Sequence, residues 1–243
     1  MQIEINRLKG RTALITGCGS ETGIGFATAD LLFSRGTRVA ITSTTNRINK
    51  RQAAIDPSGQ RVRAYVADLT DRPQVESLVE RVMADFGYLD ILVNNAGMAK
   101  LGDAEIFAEM ASLSPADWDK AIDRNLNTCF NVTRCVLPGM IDRHYGRIVN
   151  VASVTGPMVS NPGEASYGAA KAAMVGMSRA LAIEVAGYGI TVNNVAPGWI
   201  GTGSSTEQEK IAAKNTPMRR AGRPDEVAGL IAFLASDEAT YIT

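Results

Sequence analysis

The chain has 243 residues, of which 45% are hydrophobic and 21% are charged, and its 25 basic side chains balance 25 acidic ones. This balance argues against a nucleic-acid-binding surface or a polybasic membrane contact, and three cysteines without a CxxC pair beside a single histidine argue against a zinc site. No apolar run approaches the length of a membrane span. We therefore expect a cytoplasmic protein with no metal, nucleic-acid or membrane partner, since unpaired thiols suit a reducing compartment.

Short apolar and β-branched runs recur along the chain, separated by stretches with helical periodicity. The runs are 12–16, 38–42, 62–66, 90–94, 147–152 and 190–196. They are almost continuously apolar, as parallel strands are when helices cover both faces of the sheet. The alternation of strand and helix predicts an α/β fold, namely a single Rossmann-type domain over 1–243 with a doubly wound parallel sheet in three α/β/α layers.

A glycine-rich turn joins the first strand to the first helix. It contains Gly17, Gly19, Gly23 and Gly25, and an apolar helical stretch follows. Glycines permit a tight turn and close approach of the backbone to a pyrophosphate, whose charge a helix N-terminus stabilises. A turn that merely needs positive φ is the alternative, but the position between strand and helix favours a dinucleotide site.

The end of the second strand indicates which dinucleotide fits. An NAD site carries an acid about 20 residues past the glycines, whereas this segment carries Ser43, Thr44 and Arg47 and no acid. Hydroxyls and a guanidinium would bind the 2′-phosphate of NADP. A solvated loop without a role is the open alternative. We expect NADP, and NAD as the less favoured cofactor.

Four polar residues in the second half of the chain indicate acid–base chemistry. Tyr167 and Lys171 are four residues apart on one helix face, where an ammonium would lower the pKa of the phenol towards a useful range. Ser153 ends the fifth strand, at the edge where ligands bind, and Asn125 lies in a helical run, an unfavourable place for asparagine without a role. Each residue alone fits a cap or surface pair; together they predict a catalytic site.

These motifs resemble those of the short-chain dehydrogenase/reductase family over essentially the whole chain. The resemblance rests on the glycine loop, Asp68-Leu69, the NNAG run at 94–97, Asn125, Ser153, Tyr167 with Lys171, and the PGWIGT run at 197–202. Within the family, 189–202 and 217–243 look most like the bacterial 3-oxoacyl-carrier-protein reductases.

The resemblance implies hydride transfer between a nicotinamide cofactor and a carbonyl or secondary alcohol. It implies that Tyr167 is the acid in carbonyl reduction, that Ser153 polarises the carbonyl, that Lys171 binds the nicotinamide ribose and tunes Tyr167, and that Asn125 holds a water that relays protons to Lys171. The further cofactor contacts that it implies are Ile24, Asp68, Leu69, Asn95, Ala96, Gly97, Pro197, Gly198, Ile200 and Thr202.

The sequence departs from the family pattern at three places. Five residues rather than three separate Gly17 from Gly23, which indicates a two-residue insertion and brings Glu21 close to the phosphates. Fourteen positions separate Ser153 from Tyr167, one more than in the similar reductases. The chain also stops at Thr243 before the family's glycine-rich final strand, and we expect that the given sequence lacks it.

The substrate and the assembly are less determined. The segments 98–113, 156–164 and 203–216 should line the pocket, and their apolar residues favour a small-molecule substrate such as a 3-oxoacyl compound or another mostly apolar ketone. A non-catalytic dinucleotide sensor and an NAD-dependent alcohol dehydrogenase are the alternatives. The resemblance also implies a homotetramer, packed through helices at 114–143 and 165–187, and the second helix carries small residues at Ala169, Ala172, Ala173, Gly176 and Ala180.

Overall fold

The structure, a computed structural model, describes residues 8–97, 105–203 and 205–243. In this part of the chain six parallel strands form one sheet in the order β3-β2-β1-β4-β5-β6. The strands are β1 (Thr12–Ile15), β2 (Arg38–Ser43), β3 (Val62–Val66), β4 (Ile91–Asn94), β5 (Gly146–Val151) and β6 (Ile190–Val195). The predicted doubly wound parallel sheet is confirmed, and each predicted strand lies within one residue of its expected bounds.

Helices connect the strands and cover both faces of the sheet. The α-helices of the described residues are α1 (Ile24–Ser34), α2 (Arg47–Ile55), α3 (Arg72–Phe86), α4 (Pro115–Ile122), α5 (Thr128–Asp142), α6 (Ala165–Val185), α7 (Glu207–Lys214) and α8 (Pro224–Leu234). A π-helical turn, Asp123–Asn127, joins α4 directly to α5. No helix in these residues is long and apolar enough to cross a bilayer.

Two apolar layers hold the helices against the sheet. On one face, α1, α2 and α8 contribute buried residues such as Leu32, Ile48 and Ile231. On the other face, α3, α5 and α6 contribute residues such as Leu78 and Val132. The central strands place apolar side chains in both layers, which explains the nearly continuous apolar runs in the sequence.

The winding direction reverses between the neighbouring strands β1 and β4. From β1 the chain winds outward to β2 and β3, and from β4 it winds the other way to β5 and β6. At such a switch point the loops at the carboxyl ends of the two strands separate and leave a crevice, where ligands bind in open parallel sheets. The glycine loop and the segment after β4 border this crevice.

A row of amides, buried at its first two members and half-buried at the third, crosses the carboxyl end of the sheet. Asn94, Asn150 and Asn194 are neighbours in register on β4, β5 and β6. Asn94 Nδ2 donates to Asn150 Oδ1 at 2.8 Å and to Thr133 Oγ1 of α5 at 2.9 Å. Asn150 Nδ2 donates to Ser178 Oγ of α6 at 2.9 Å, and Ser178 Oγ lies 2.8 Å from Asn194 Oδ1. This amide row connects three strands to α5 and α6.

We predict that Asn150→Ala lowers the free energy of unfolding by about 2–3 kcal/mol, because Asn94 Nδ2 loses a buried acceptor and Ser178 Oγ loses a buried donor. Urea denaturation at fixed protein concentration measures the change. Thr191→Val on β6 is the matched control, since Thr191 Oγ1 is buried without a partner, and its loss should be neutral or slightly stabilising. Equal losses in both variants would contradict a special role for the row.

Candidate active site

The glycine loop is held open by the residues that follow β4. Thr16 Oγ1 accepts hydrogen bonds from the backbone N–H groups of Asn95 at 3.0 Å and Ala96 at 2.9 Å. Asn95 Nδ2 donates to the carbonyl oxygens of Thr16 at 3.0 Å and Gly17 at 3.1 Å. Gly17 has a φ of +72°, and a Cβ there would lie 2.8 Å from the Ala96 Cα. Only glycine fits this position.

The rest of the loop leads into α1. Gly23 is the N-cap residue of α1, and a Cβ at Gly25 would lie 2.5 Å from Asn95 Nδ2. The first turn of α1 carries no acidic residue, so its free N–H groups face the crevice without a competing carboxylate. Such a helix N-terminus can hold a pyrophosphate.

Contacts with other segments of the protein fix the position of the two-residue insertion. The Cys18 N–H donates to the Thr42 carbonyl at 2.9 Å, and its buried thiol donates to the Ile15 carbonyl. Glu21 forms an ion pair with Arg51 of α2. Thr22 Oγ1 accepts from the Gly203 N–H at 2.8 Å. Glu21, which was expected to lie close to the phosphates, is therefore neutralised by Arg51 of α2.

The end of β2 presents donors that have no partner among the residues that the structure describes. The Arg47 guanidinium packs on Gly19, where a Cβ would lie 2.4 Å from Arg47 Nε. Arg47 Nε and Thr45 Oγ1 are buried without a hydrogen-bond partner among the described residues. Unpaired buried donors are costly, and the oxygen atoms of a phosphate would satisfy them. These residues therefore fit a phosphorylated ribose.

One residue at this end is placed differently from the expectation. Ser43 is buried, and its hydroxyl donates to the Thr45 carbonyl at 3.0 Å and accepts from the Thr45 N–H at 3.4 Å. This local turn uses the hydroxyl that the sequence assigned to the 2′-phosphate, while the neighbouring Thr44 is half-buried. Thr45, which the sequence analysis did not select, carries the unpaired hydroxyl instead.

Asp68 and Leu69 follow β3 on the same side of the sheet. Asp68 Oδ1 accepts from the N–H of Thr70 at 3.0 Å and from its hydroxyl at 2.7 Å. Leu69 is buried, and its carbonyl accepts from Asn131 Nδ2 at 3.0 Å. The two residues form a rigid turn at the carboxyl edge, where the resemblance expects the adenine.

Ser153 and Tyr167 meet beyond the end of β5. Ser153 Oγ accepts from the Thr155 N–H at 3.1 Å and shares a hydrogen bond with the Tyr167 hydroxyl. The turn between them contains Gly156, with a φ of +99°, whose Cβ would lie 2.2 Å from the Gly168 carbonyl. The turn therefore packs directly on the first turn of α6 and positions Tyr167 against Ser153.

Lys171 lies one turn further along α6. It is 3% exposed, its Nζ donates to the Val151 carbonyl at 3.0 Å, and Nζ lies 5.7 Å from the centre of the Tyr167 ring. Gly97 faces it from the end of the NNAG run. A Cβ on Gly97 would lie 3.4 Å from Lys171 Nζ and 2.9 Å from Asn125 Oδ1. The missing side chain at 97 lets Lys171 and Asn125 approach the same point.

Asn125 occupies the π-helical turn between α4 and α5. Its Nδ2 donates to the Ala121 carbonyl at 3.1 Å, and the side chain is buried. The helical run in the sequence predicts an ordinary α-helix at this position. π-Helical turns add one residue to a helix and are frequent at functional sites, and here the turn directs an amide towards the crevice.

Burial dominates the proton affinities of the site. Burial raises the pKa of Tyr167 to about 12, the hydrogen bond from Ser153 opposes it, and Glu105, Glu164 and Glu209 add to it. Burial lowers the pKa of Lys171 to about 8. The spacing of Tyr167 and Lys171 predicts a lowered pKa for the phenol, whereas burial is the largest influence in the structure and raises it, because desolvation disfavours the phenolate.

A cavity of about 270 Å³ opens in front of Ser153 and Tyr167. The sequence-predicted residues that line it are Ile24, Asn95, Gly97, Ser153, Tyr167, Lys171, Pro197, Gly198, Ile200 and Thr202. The predicted residues of the adenosine end lie outside it, around the glycine loop and the ends of β2 and β3. Trp199 and Ser205 also line the cavity. Trp199 lies in the PGWIGT run and Ser205 in the segment 203–216, but neither was predicted as an individual site residue.

The three segments that were expected to form the pocket all contribute to its lining, although residues 98–104 and Ser204 lie outside the described residues. Phe107, Val159 and other apolar side chains are present. The same segments also bring three carboxylates to the cavity, those of Glu105, Glu164 and Glu209, so the lining is less apolar than the sequence indicates. The three carboxylates are far apart in sequence, so only the fold reveals that they face one space.

Comparisons with known proteins agree with this geometry. A family model described as enoyl-(acyl carrier protein) reductase matches residues 17–243. The 3-oxoacyl-[acyl-carrier-protein] reductase FabG of Thermotoga maritima is 42% identical over 244 residues, covering 98% of this chain and 95% of that protein. The Escherichia coli FabG is 40% identical, covering 97% and 93%, and the oxidoreductase UcpA of Salmonella typhimurium is 40% identical, covering 98% and 92%.

Solved structures show the same similarity in three dimensions. A levodione reductase superposes with a TM-score of 0.88 at 32% identity, over 97% of this chain and 94% of that one. A variant of a Serratia marcescens short-chain dehydrogenase/reductase superposes with a TM-score of 0.87 at 31% identity, over 98% and 95%. At these identities the likeness extends beyond the fold to the family.

Proposed function

The chain belongs to the short-chain dehydrogenase/reductase family, and we propose that it is an NADP(H)-dependent oxidoreductase acting on a small carbonyl compound or secondary alcohol. The observation that carries the proposal is the arrangement of Ser153, Tyr167 and Lys171 at one cavity. In this arrangement a hydroxyl pair faces the space where a carbonyl oxygen can bind, and an ammonium lies directly behind it.

Tyr167 donates the proton in carbonyl reduction. When bound, the nicotinamide cofactor supplies or accepts the hydride. With a pKa of about 12, Tyr167 is protonated at neutral pH and can donate to the oxygen of a carbonyl as that oxygen becomes negative. Ser153 is oriented by the Thr155 N–H, so its own hydroxyl proton can be directed at the same oxygen.

Lys171 holds positive charge next to this proton transfer. Its ammonium is anchored by the Val151 carbonyl, which keeps it close to the Tyr167 ring while the two other protons on Nζ stay available. A charge at this position favours the phenolate that remains after Tyr167 has donated its proton. Asn125 approaches the same point across Gly97 and can hold a water that returns the proton.

The cofactor preference is inferred from the adenosine end. Arg47 on Gly19, together with the unpaired Arg47 Nε and Thr45 Oγ1, supports a 2′-phosphate, and Glu21 is paired with Arg51 rather than free to bind a ribose hydroxyl. These contacts favour NADP over NAD. An NAD-dependent alcohol dehydrogenase remains the alternative that a cofactor comparison decides.

The organisation of the protein is also proposed. We propose that residues 1–243 form one domain and that the protein acts as a cytoplasmic homotetramer through α5 and α6. Ala172, Ala173, Gly176 and Ala180 are exposed along α6, and Ile183 on the same helix is 83% exposed. An exposed face of small residues next to a large apolar one allows helices of two subunits to pack closely.

We predict that Tyr167→Phe lowers kcat for NADPH-dependent ketone reduction by about 10²–10⁴, the usual contribution of a general acid, and leaves the Kd for NADPH almost unchanged. Tyr241→Phe is the control, since Tyr241 is fully exposed, and it should retain full activity. A Tyr167→Phe variant with near-normal kcat would exclude Tyr167 as the acid. A wild-type protein that binds NADPH but reduces no ketone would favour the non-catalytic dinucleotide sensor.

Arg47→Gln should lower kcat/KM for NADPH by about ten- to hundredfold, because a hydrogen bond to a charged group contributes about 1.5–3 kcal/mol and 1.4 kcal/mol is tenfold. The value for NADH should change little. Lys50→Gln is the control, since Lys50 is exposed on the same helix. If wild-type protein uses both cofactors equally and Arg47→Gln changes neither, the donors at the end of β2 do not select a 2′-phosphate.

The pH dependence of kcat/KM should follow the titration of Lys171. Since its pKa is lowered to about 8, the ammonium is charged below that value and lost as pH rises through it, and kcat/KM for ketone reduction should fall above pH 8. Lys171→Arg keeps the charge at all accessible pH values, so whatever activity remains should show no decline near 8. An identical decline in that variant would assign the titration to another group.

A further inference from the structure

We propose that Glu105 determines substrate specificity and selects carbonyl compounds or alcohols that carry a cationic group, such as an ammonium, next to the reacting carbon. The proposal rests on the proposed function, since it concerns the substrate of the same cavity. It differs from the apolar ketone that the sequence favours, because the carboxylates reach the cavity only through the fold.

The position of Glu105 is the first argument. It precedes α4 and lines the cavity together with Ser153, Tyr167 and Lys171. The residue is half-buried, and its carboxylate makes no hydrogen bond or ion pair with the described residues. Because it lines the same cavity, its charge raises the pKa of Tyr167, and the charge of Lys171 opposes the rise in its own pKa.

The charges around Glu105 are the second argument. Glu164, which precedes α6, accepts from Asn161 Nδ2 at 2.8 Å, and Glu209 of α7 accepts from the Thr206 N–H at 2.6 Å. Both carboxylates face the cavity and interact unfavourably with Glu105. The protein thus gathers three acidic groups around the entrance to its reactive end.

The cations of the cavity do not neutralise these groups. Among the described residues that line it, the cations are Lys171 and Lys210. Lys171 Nζ is anchored to the Val151 carbonyl, and Lys210 Nζ pairs with Glu207 at 2.6 Å. The net charge of the described lining with its side chains ionised is therefore negative, and Glu105 is the carboxylate that makes no hydrogen bond or ion pair with a described residue.

A neutral apolar substrate would make the surroundings of the Glu105 carboxylate still less favourable. It would displace water from Glu105 and leave a carboxylate desolvated without a partner, which is strongly unfavourable. Burial together with Glu209 and Glu164 already raises the pKa of Glu105 to about 7. A cationic group would instead pair with it, and the aromatic rings of Phe107 and Trp199, which line the same cavity, suit an alkylated ammonium.

Two ketones of matched shape test the proposal. Acetonyltrimethylammonium carries a fixed positive charge, and 4,4-dimethylpentan-2-one has a carbon atom in place of the nitrogen. We expect wild-type protein at pH 8 to reduce the cation with a kcat/KM at least about tenfold higher, as one charge-assisted contact provides. Glu105→Gln should remove most of that ratio and change the neutral ketone little, whereas Glu109→Gln, on an exposed residue four positions on, should keep the ratio.

The pH dependence gives an independent readout. Glu105 is ionised above its pKa of about 7, so the cation-to-neutral ratio should rise as pH increases from 6 to 8 in wild-type protein, and the rise should be much smaller in Glu105→Gln. Lys171 loses its charge near pH 8 and then repels the cation less, and this contribution to the ratio is common to both proteins. Lys210, Glu164 and Glu209 are also unchanged in the variant, so a rise of equal size there would assign the pH dependence to these groups and overturn the proposal.

Binding separates this inference from the proposed function. Calorimetric Kd values of the two ketones for the protein with NADP⁺ should show the same charge preference and the same loss in Glu105→Gln. Equal affinities for both ketones would refute the role of Glu105 even if both are reduced. A charge preference without any NADPH oxidation would support Glu105 and refute the proposed reductase activity.

Discussion

The buried amide row at the end of the sheet is the interaction on which the site depends. Asn94 and Asn150 bind each other across β4 and β5, and Asn150 binds Ser178 of α6. These hydrogen bonds fix the helix that carries Tyr167 and Lys171 relative to the strand that leads to Ser153. Apolar packing alone is not directional, so it would allow α6 to slide along the sheet. The amide row therefore fixes the position of α6 along the sheet, on which the distances between Ser153, Tyr167 and Lys171 depend.

The parts of the structure that follow from local chemistry could be predicted. Apolar strand runs, the glycine loop and the Tyr167–Lys171 spacing are encoded within a few neighbouring residues. The π-helical turn at Asn125, the bracing role of Asn95 and the unpaired Thr45 hydroxyl depend on contacts between distant segments, and no local pattern reports them. The raised pKa of Tyr167 could not be predicted for a related reason, since spacing reveals a nearby charge but not how deeply the phenol is buried.

The crevice has opposite electrostatic character at its two ends. At the adenosine end, Arg47 lies over the glycine loop with an unpaired donor, and the only nearby acid of the described insertion, Glu21, is neutralised by Arg51. At the other end, Glu105 and its acidic neighbours face the cavity. A dinucleotide with its phosphates towards Arg47 is favoured in one orientation only, and the same gradient disfavours an anionic substrate at the reactive end.

The π-helical turn between α4 and α5 has a consequence for the phase of these helices. Because it holds one residue more than an α-helical turn, the two helices are offset by about 100° in their angular sequence pattern. α4 can therefore face α6 while α5 faces α3, although the chain between them never leaves a helical conformation. A single deletion within Asp123–Asn127 would restore a regular helix, and one of the two helices would then turn its apolar side to water. A change that removed the π-helical turn and displaced Asn125 would therefore also expose apolar surface and lower the solubility of the protein.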